Sequence, residues 1–269
     1  MWPEKILFIG CGNMGGAMLA GWLRSGMAAD RFTIVDPKLE AAPDGVELLR
    51  SLPQGRVFDV MVLGVKPQML DDVAGLLTAL AGAETVVLSM LAGVELASLA
   101  SRFPQAKGIV RVMPNLAAAV GKSPMGVVAQ GLDETQRNAM FDFLAPLGAP
   151  EWVGEELFDA VTALAGCGPA FVYRFIDALA TGGAAIGLDP AQSLRLAQAT
   201  VDGAAALAAA SPYSPGELAR RVASPGGSTQ AGLNVLDADN AMADLILATL
   251  AASRDRNVEM GQEARAARA

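Results

Sequence analysis

The chain opens on a continuous apolar run, Lys5-Ile6-Leu7-Phe8-Ile9-Gly10. A run without polar alternation predicts a short strand buried on both faces, as in a parallel sheet covered by helices. Met14, Met18, Leu19, Trp22 and Leu23 then recur at helical spacing, and Gly26 stands where that helix would end. Strand-length apolar runs follow at Phe32 to Val35, Val60 to Val65, Thr85 to Met90 and Gly108 to Met113. Helical patterns lie between the later ones, around Met69 to Leu80 and Val94 to Phe103. Strand and helix in alternation predict a parallel, doubly wound α/β sheet. Residues 37–55 leave room for a short helix and a short strand that the pattern does not place.

Near residue 154 the pattern changes. Met125 to Ala129 and Glu151 to Val153 read as the last strands, and helical spacing dominates beyond them. Leu157, Val161 and Leu164 share one face; Phe171, Val172, Phe175, Ile176 and Leu179 share another. Asp189-Pro190-Ala191-Gln192 marks a helix start, with a capping side chain, a proline in the first turn and Gln three residues after the cap. Ser214-Pro215-Gly216-Glu217 repeats the device. A long final helix is expected from about Asn240 past Val258, with Met242, Leu245, Ile246 and Leu250 on its apolar side. The predicted organisation is a sheet domain over 1–154 and an all-α domain over 155–269. The helical part is small and rich in Ala and Gly, so a partner subunit is expected to cover its apolar faces.

Composition narrows the chemistry. With 269 residues, 52% hydrophobic and 18% charged, the chain suits about two folded domains and not a disordered segment. A net charge of −8 repels polyanions, so no nucleic-acid partner is expected. The chain has no histidine, which removes Ser-His-Asp triads, His-ligated metals and His general bases together. Cys11 and Cys167 are too few for a disulfide framework or a four-sulfur zinc site and read as two reduced thiols. No metal is expected. No uninterrupted run reaches the roughly 20 apolar residues of a membrane span, and the first residues lack a secretory pattern. The expectation is a soluble cytoplasmic protein without a membrane partner.

Gly10-Cys11-Gly12-Asn13-Met14-Gly15 fits G-x-G-x-x-G, and it follows a buried strand and opens an amphipathic helix. In a Rossmann-type dinucleotide-binding domain the first glycine permits the tight turn. The second lets the backbone approach a pyrophosphate, and the third lets helix pack on sheet. The helix N-terminus offers its N–H groups to the anion. The competing reading is an ordinary glycine-rich turn. Asp36 ends the second strand, 21 residues after Gly15, where an acid accepts hydrogen bonds from ribose hydroxyls and repels a 2′-phosphate. Lys38 stands close enough in sequence to pair with such a phosphate, and Asp36-Pro37 also reads as a simple turn initiator. NADPH and NADH both stay open.

The helical part holds a second small-residue loop, Ser224-Pro225-Gly226-Gly227-Ser228-Thr229, followed by a helical pattern over Gln230 to Leu236. Backbone N–H groups and hydroxyls facing one point suit a small carboxylate and a neutral nitrogen. A loop ending in a helix cap is the competing reading.

These segments belong to a longer ordered series. Gly64-Val65-Lys66-Pro67-Gln68, Ser89-Met90-Leu91-Ala92-Gly93-Val94, Val112-Met113-Pro114-Asn115 and Thr162-Ala163-Leu164-Ala165-Gly166-Cys167-Gly168-Pro169-Ala170 follow the glycine loop. Ser224 to Thr229 with Gly232-Leu233 close the series. In this order, along nearly the whole chain, they resemble the pyrroline-5-carboxylate reductases, enzymes of the last step of proline synthesis. The resemblance implies hydride transfer from NAD(P)H to the C=N carbon of the cyclic imine L-1-pyrroline-5-carboxylate, giving L-proline. It implies that Thr229 hydrogen-bonds the ring nitrogen and assists its protonation. Ser224 and the N–H groups of Gly226, Gly227 and Ser228 would hold the carboxylate. Gly10, Cys11, Gly12, Asn13, Met14, Gly15 and Asp36 would bind the cofactor, and Val65, Lys66 and Pro67 would line its nicotinamide side. It also implies a homodimer through the helical domain; family members further assemble into decamers.

The chain departs from the family pattern at several points. Leu116-Ala117 stands where many members have Thr-Pro, Ala165 and Cys167 replace serines, and Phe171 replaces a tyrosine. Asp36-Pro37-Lys38 replaces an Asn-Arg-Ser or Asn-Arg-Thr type of segment that serves the NADP phosphate. Two rival readings stand beside this one, another enzyme of the same architecture and a nucleotide-binding regulatory protein from another class. A hydroxyacid dehydrogenase of this build needs a catalytic lysine in its second domain, and no lysine occurs between Gly154 and Ala269. A reductase of a different imine has the same build; a non-catalytic sensor needs only the first domain, and the presence of Ser224, Gly226, Gly227 and Thr229 together argues against it.

Overall fold

The computed structural model describes residues 2–266. One sheet contains β1 (Ile6–Ile9), β2 (Phe32–Val35), β3 (Glu47–Leu49), β4 (Val60–Leu63), β5 (Val86–Ser89), β6 (Gly108–Met113), β7 (Ser123–Gln130) and β8 (Gly148–Trp152). Their spatial order is β3-β2-β1-β4-β5-β6-β7-β8. Every neighbouring pair is parallel except β6 and β7, which run antiparallel with Val112 opposite Val127. Helices α1 (Asn13–Arg24), α2 (Leu70–Leu77), α3 (Leu96–Arg102) and α4 (Glu134–Leu144) connect the strands.

The continuous apolar strand runs resolve into two cores. Ile6 and Phe8 point to one face, with Met18, Trp22, Phe32 and Phe143. Leu7 and Ile9 point to the other, with Met61, Leu63, Leu77 and Phe103. Both faces are covered, so the strands are largely apolar, and the buried polar side chains among them, such as Thr33, Ser89 and Arg111, are bonded to partners. Trp22 stacks on Phe143 with ring centroids 4.4 Å apart, and its indole N–H donates to the Phe143 carbonyl at 2.7 Å. This contact fixes α1 against α4, while Trp22 also packs on Phe8 and Phe32 of the sheet at 6.1 and 6.0 Å, and the N-terminus of α1 is the glycine loop.

Two features were not placed by periodicity. Residues 37–55 hold the short strand β3 but no helix; Pro37, Pro43 and Gly45 (φ +81°) break the chain there. Helix α4 starts at a reciprocal capping box: Asp133 accepts the Gln136 N–H at 2.8 Å, and the Gln136 side chain accepts the Asp133 N–H at 2.9 Å.

The chain forms two compact units, Met1–Cys167 with Ser253–Ala269, and Gly168–Ala252. In the first, the buried Arg111 on β6 pairs with Glu155 at 2.6 Å and stacks over Phe158 at 4.1 Å. Glu155 also accepts the Leu96 N–H at 2.7 Å. The pair thereby ties α5 (Phe158–Val161) to β6 and to the start of α3.

The second unit contains α6 (Gly168–Ala185), α7 (Pro190–Ala210), α8 (Pro215–Val222), α9 (Ser228–Leu236) and the first part of α10 (Ala241–Ala266). Both expected caps are present: Asp189 accepts the Gln192 N–H at 3.0 Å and Ser214 the Glu217 N–H at 3.3 Å. Among the described residues of this unit only Ser193 and Ala197 are buried. Ile186 is 87% exposed and Val235 74%. Full burial of one such side chain is worth about 1.5–3 kcal/mol, so the unit leaves much of its hydrophobic stabilisation unused in the single chain. By length and composition, Glu155–Ala185 is also apolar enough to cross a membrane, with mean hydropathy 1.2. The stretch is not an uninterrupted apolar run: Arg174 and Asp177 lie within it and pair at 3.1 Å.

Candidate active site

The sheet order reverses direction at β1, which has β2 on one side and β4 on the other. Ligands of doubly wound folds bind beyond the strand ends at such a switch point. The glycine loop lies there. Gly10 has φ +80°, a conformation that disfavours any side chain. Gly12 occupies the N-cap of α1, no side chain caps the helix, and the first intrahelical bond is Gly16 N–H to the Gly12 carbonyl at 2.8 Å. Open space lies where a Gly12 Cβ would stand. Uncapped N–H groups of Asn13, Met14 and Gly15 with open space above Gly12 fit a pyrophosphate. The Cys11 N–H is not among the uncommitted groups: it donates to Asp36 Oδ2 at 2.9 Å.

Asp36 is therefore both a turn former and a strand-end acid. Its Oδ1 accepts the N–H groups of Lys38 (2.8 Å) and Leu39 (3.1 Å). Partial burial raises its pKa, but these three backbone bonds and the charge of Arg50 outweigh burial and hold it below the usual carboxylate range. Burial, and then the Asp36 charge, push the Cys11 thiol up to about 11, so it is neutral at physiological pH.

The end of β4 completes the floor. Gly64 lies against the Gly10 carbonyl, where a Cβ would collide with backbone. Val65 Cγ1 comes within 3.2 Å of where a Gly10 Cβ would be. Lys66 is exposed and leads into a helical turn over Pro67–Met69. Gly64 was legible in sequence only as part of a motif; its need for a bare Cα comes from the β1–β4 pairing.

Two other motif segments meet in the first unit. Residues Thr162–Gly166 form a π-helical turn, closed by Cys167 N–H to the Thr162 carbonyl at 2.9 Å. Asn115, buried, donates its side-chain amide to the Ala165 carbonyl at 2.8 Å and accepts the Ala117 N–H at 2.9 Å. Such π turns are frequent at functional sites. In sequence Asn115 is visible only as part of its motif; the bond to Ala165 spans 50 residues.

The second small-residue loop lies in the helical unit. Gly226 has φ +70°, and the Gly227 N–H donates to the Ser224 carbonyl at 2.9 Å. Helix α9 begins at Ser228 with Gly227 at the N-cap and no side-chain cap. The hydroxyls of Ser228 and Thr229 therefore do not serve as caps, and Ser224 and Thr229 are exposed. This arrangement can offer N–H groups to a carboxylate and hydroxyls to a neighbouring nitrogen.

A glycine loop at the switch point of a doubly wound sheet, with an acid at the second strand end, defines a dinucleotide-binding domain of the kind that serves nicotinamide-dependent oxidoreductases. Residues 155–260 match the family model described as pyrroline-5-carboxylate reductase dimerisation, and residues 5–93 match that of the coenzyme F420-dependent NADP oxidoreductases. The chain is 34% identical to a pyrroline-5-carboxylate reductase of Methanosarcina acetivorans, over 97% of this chain and 99% of that one. The structure of a pyrroline-5-carboxylate reductase from Coxiella burnetii superimposes with TM-score 0.88 and 29% identity, covering 95% and 98% of the two chains. The NADP-bound pyrroline carboxylate reductase of Plasmodium falciparum superimposes with TM-score 0.84 and 25% identity, covering 97% and 99%. The chain belongs to the pyrroline-5-carboxylate reductase family.

Proposed function

We propose that this chain reduces the C=N bond of L-1-pyrroline-5-carboxylate to L-proline with NAD(P)H. Likeness to curated pyrroline-5-carboxylate reductases along almost the whole chain carries this reading. When bound, the nicotinamide supplies a hydride to the imine carbon. The chain's own residues bind and orient the reactants. Asn13, Met14 and Gly15 present N–H groups to the pyrophosphate, with Gly10 and Gly12 giving access and Asp36 at the ribose. Val65, Lys66 and Pro67 line the nicotinamide side. Ser224 and the N–H groups of Gly226 and Ser228 hold the substrate carboxylate; the Gly227 N–H, expected to join them, is already bonded to the Ser224 carbonyl and shapes the loop instead. The Thr229 hydroxyl donates a hydrogen bond to the ring nitrogen and assists its protonation, the proton being supplied by solvent. An imine is basic enough to be protonated through such a bond, so a chain without histidine is not handicapped.

The exposed apolar faces of the helical unit support a homodimer through residues 155–269, and a decamer of such dimers is the family's further assembly. In this reading a partner helix, not lipid, covers the Glu155–Ala185 stretch. A cytoplasmic location is part of the same reading and agrees with two unpaired thiols, Cys11 and Cys167.

The test is loss of nicotinamide absorbance with the synthetic imine, run with NADH and with NADPH, and identification of the product. Proline formed with either cofactor supports the proposal. No turnover by protein that binds the cofactor would move the reading to a different imine or to a nucleotide sensor.

A further inference from the structure

We infer that the site selects NADH over NADPH, through Asp36 as the group facing the adenosine ribose and Arg50 as the residue that positions it. The inference rests on the dinucleotide reading above and goes beyond it, since the glycine loop accepts either cofactor.

The two cofactors differ only in a 2′-phosphate on the adenosine ribose. Proteins that accept this group meet it with a cation, and proteins that reject it place a carboxylate at the end of the second strand. Asp36 is that carboxylate, and it is held rigidly. Three backbone N–H groups fix its two oxygens, at 2.8 to 3.1 Å, and one of them belongs to the glycine loop itself. The carboxylate cannot turn away from an arriving phosphate without breaking the bond to Cys11 that shapes the pyrophosphate loop. Three bonds leave lone pairs on the two oxygens free to accept the ribose hydroxyls.

Arg50, just beyond β3, is a cation close to this position. Its guanidinium is already committed. Nη1 donates to the Asp36 carbonyl at 2.9 Å and to the Leu39 carbonyl, and Nη2 donates to the Glu40 carbonyl at 3.3 Å. A planar fork bonded to three carbonyls braces the 36–40 loop and is not offered to a phosphate. Lys38 is exposed, and its ammonium sits on a flexible, solvated stem. A mobile surface charge is screened and gives little, while the fixed carboxylate next to a dianionic phosphate acts at short range.

Equilibrium titration of the full-length protein with NADH and with NADPH, followed by calorimetry without imine, reads the inference directly. Wild type is expected to bind NADH at least about tenfold more tightly. Asp36→Ser is expected to shift the ratio toward NADPH by about tenfold or more. Arg50→Met is expected to raise the Kd for NADH several-fold and that for NADPH less, narrowing the ratio, and Arg50→Lys to restore part of it. General damage to the fold would weaken both cofactors alike and leave the ratio unchanged, and that result would overturn the role of Arg50. Wild type binding NADPH as tightly as NADH would overturn the selectivity itself. Binding of neither nucleotide would instead overturn the dinucleotide reading on which it rests.

Discussion

The Asp36 carboxylate accepts the backbone N–H of Cys11 at 2.9 Å, joining the end of β2 to the turn after β1. The residue that would face the ribose is thus also a brace of the loop that would face the pyrophosphate. Its pKa gives this brace a pH signature. A carboxyl lowered in the folded state stabilises that state above its unfolded pKa, and the contribution is lost as pH falls through the lowered native value. The stability difference between wild type and Asp36→Asn should be constant near neutrality and shrink below about pH 4. Urea unfolding across that range measures it. A difference that grows on acidification would contradict the assigned interactions.

Gly64 and Gly10 meet backbone to backbone, so neither neighbour can yield to a new side chain. Gly64→Ala should destabilise by about 1–3 kcal/mol, the usual cost of overpacking. It should also weaken cofactor binding, because the strain falls on the Gly10 turn. Denaturant midpoints and a nucleotide titration report the two effects separately. Wild-type values in both would show that the β1–β4 ends are not as close as described.

Thr229 and Ser224 are assigned different tasks, and kinetics separates them. Thr229→Ala should lower turnover by roughly tenfold or more, since a hydrogen bond to developing charge is worth at least about 1.5 kcal/mol. Ser224→Ala should chiefly raise the KM for the imine. Unchanged kinetics in the first variant, or an effect of the second confined to the cofactor's KM, would reassign these residues.

The helical unit buries too little of itself to hold its exposed apolar faces in water as an isolated chain. If a second copy covers them, stability depends on concentration. Each tenfold increase in protein should favour the folded dimer by about 1.4 kcal/mol, raising Tm. A Tm independent of concentration over several decades, with a monomer in sedimentation, would remove the dimer from the proposal.

The β1, β2 and β4 to β6 runs were legible because a strand buried on both faces is largely apolar; the few polar residues buried in them, Thr33, Ser89 and Arg111, do not break the runs. The glycine loop was legible because its pattern follows a buried strand; in the structure Gly10 is held at φ +80°, Gly12 leaves open space for a ligand, and an added Cβ at Gly15 would meet only ordinary contacts. Helix α4 has a weak apolar period, and its Asp133-Gln136 capping box is its one clear local signal. The antiparallel placement of β7 was not legible, since strand direction leaves no mark on an apolar run.

Sequence by itself determined the two-part architecture, the switch-point loop, the two helix caps and the family, all set by local sterics, hydrophobic period or ordered motifs. Tertiary structure decided which groups are still available. It committed the Cys11 N–H to Asp36, turned the Arg50 guanidinium onto three carbonyls and set Asn115 against Ala165. These pairings join residues 25, 14 and 50 positions apart. Hydrogen bonds across such separations depend on how strands and turns come together in space, and no pattern of spacing along the chain encodes them.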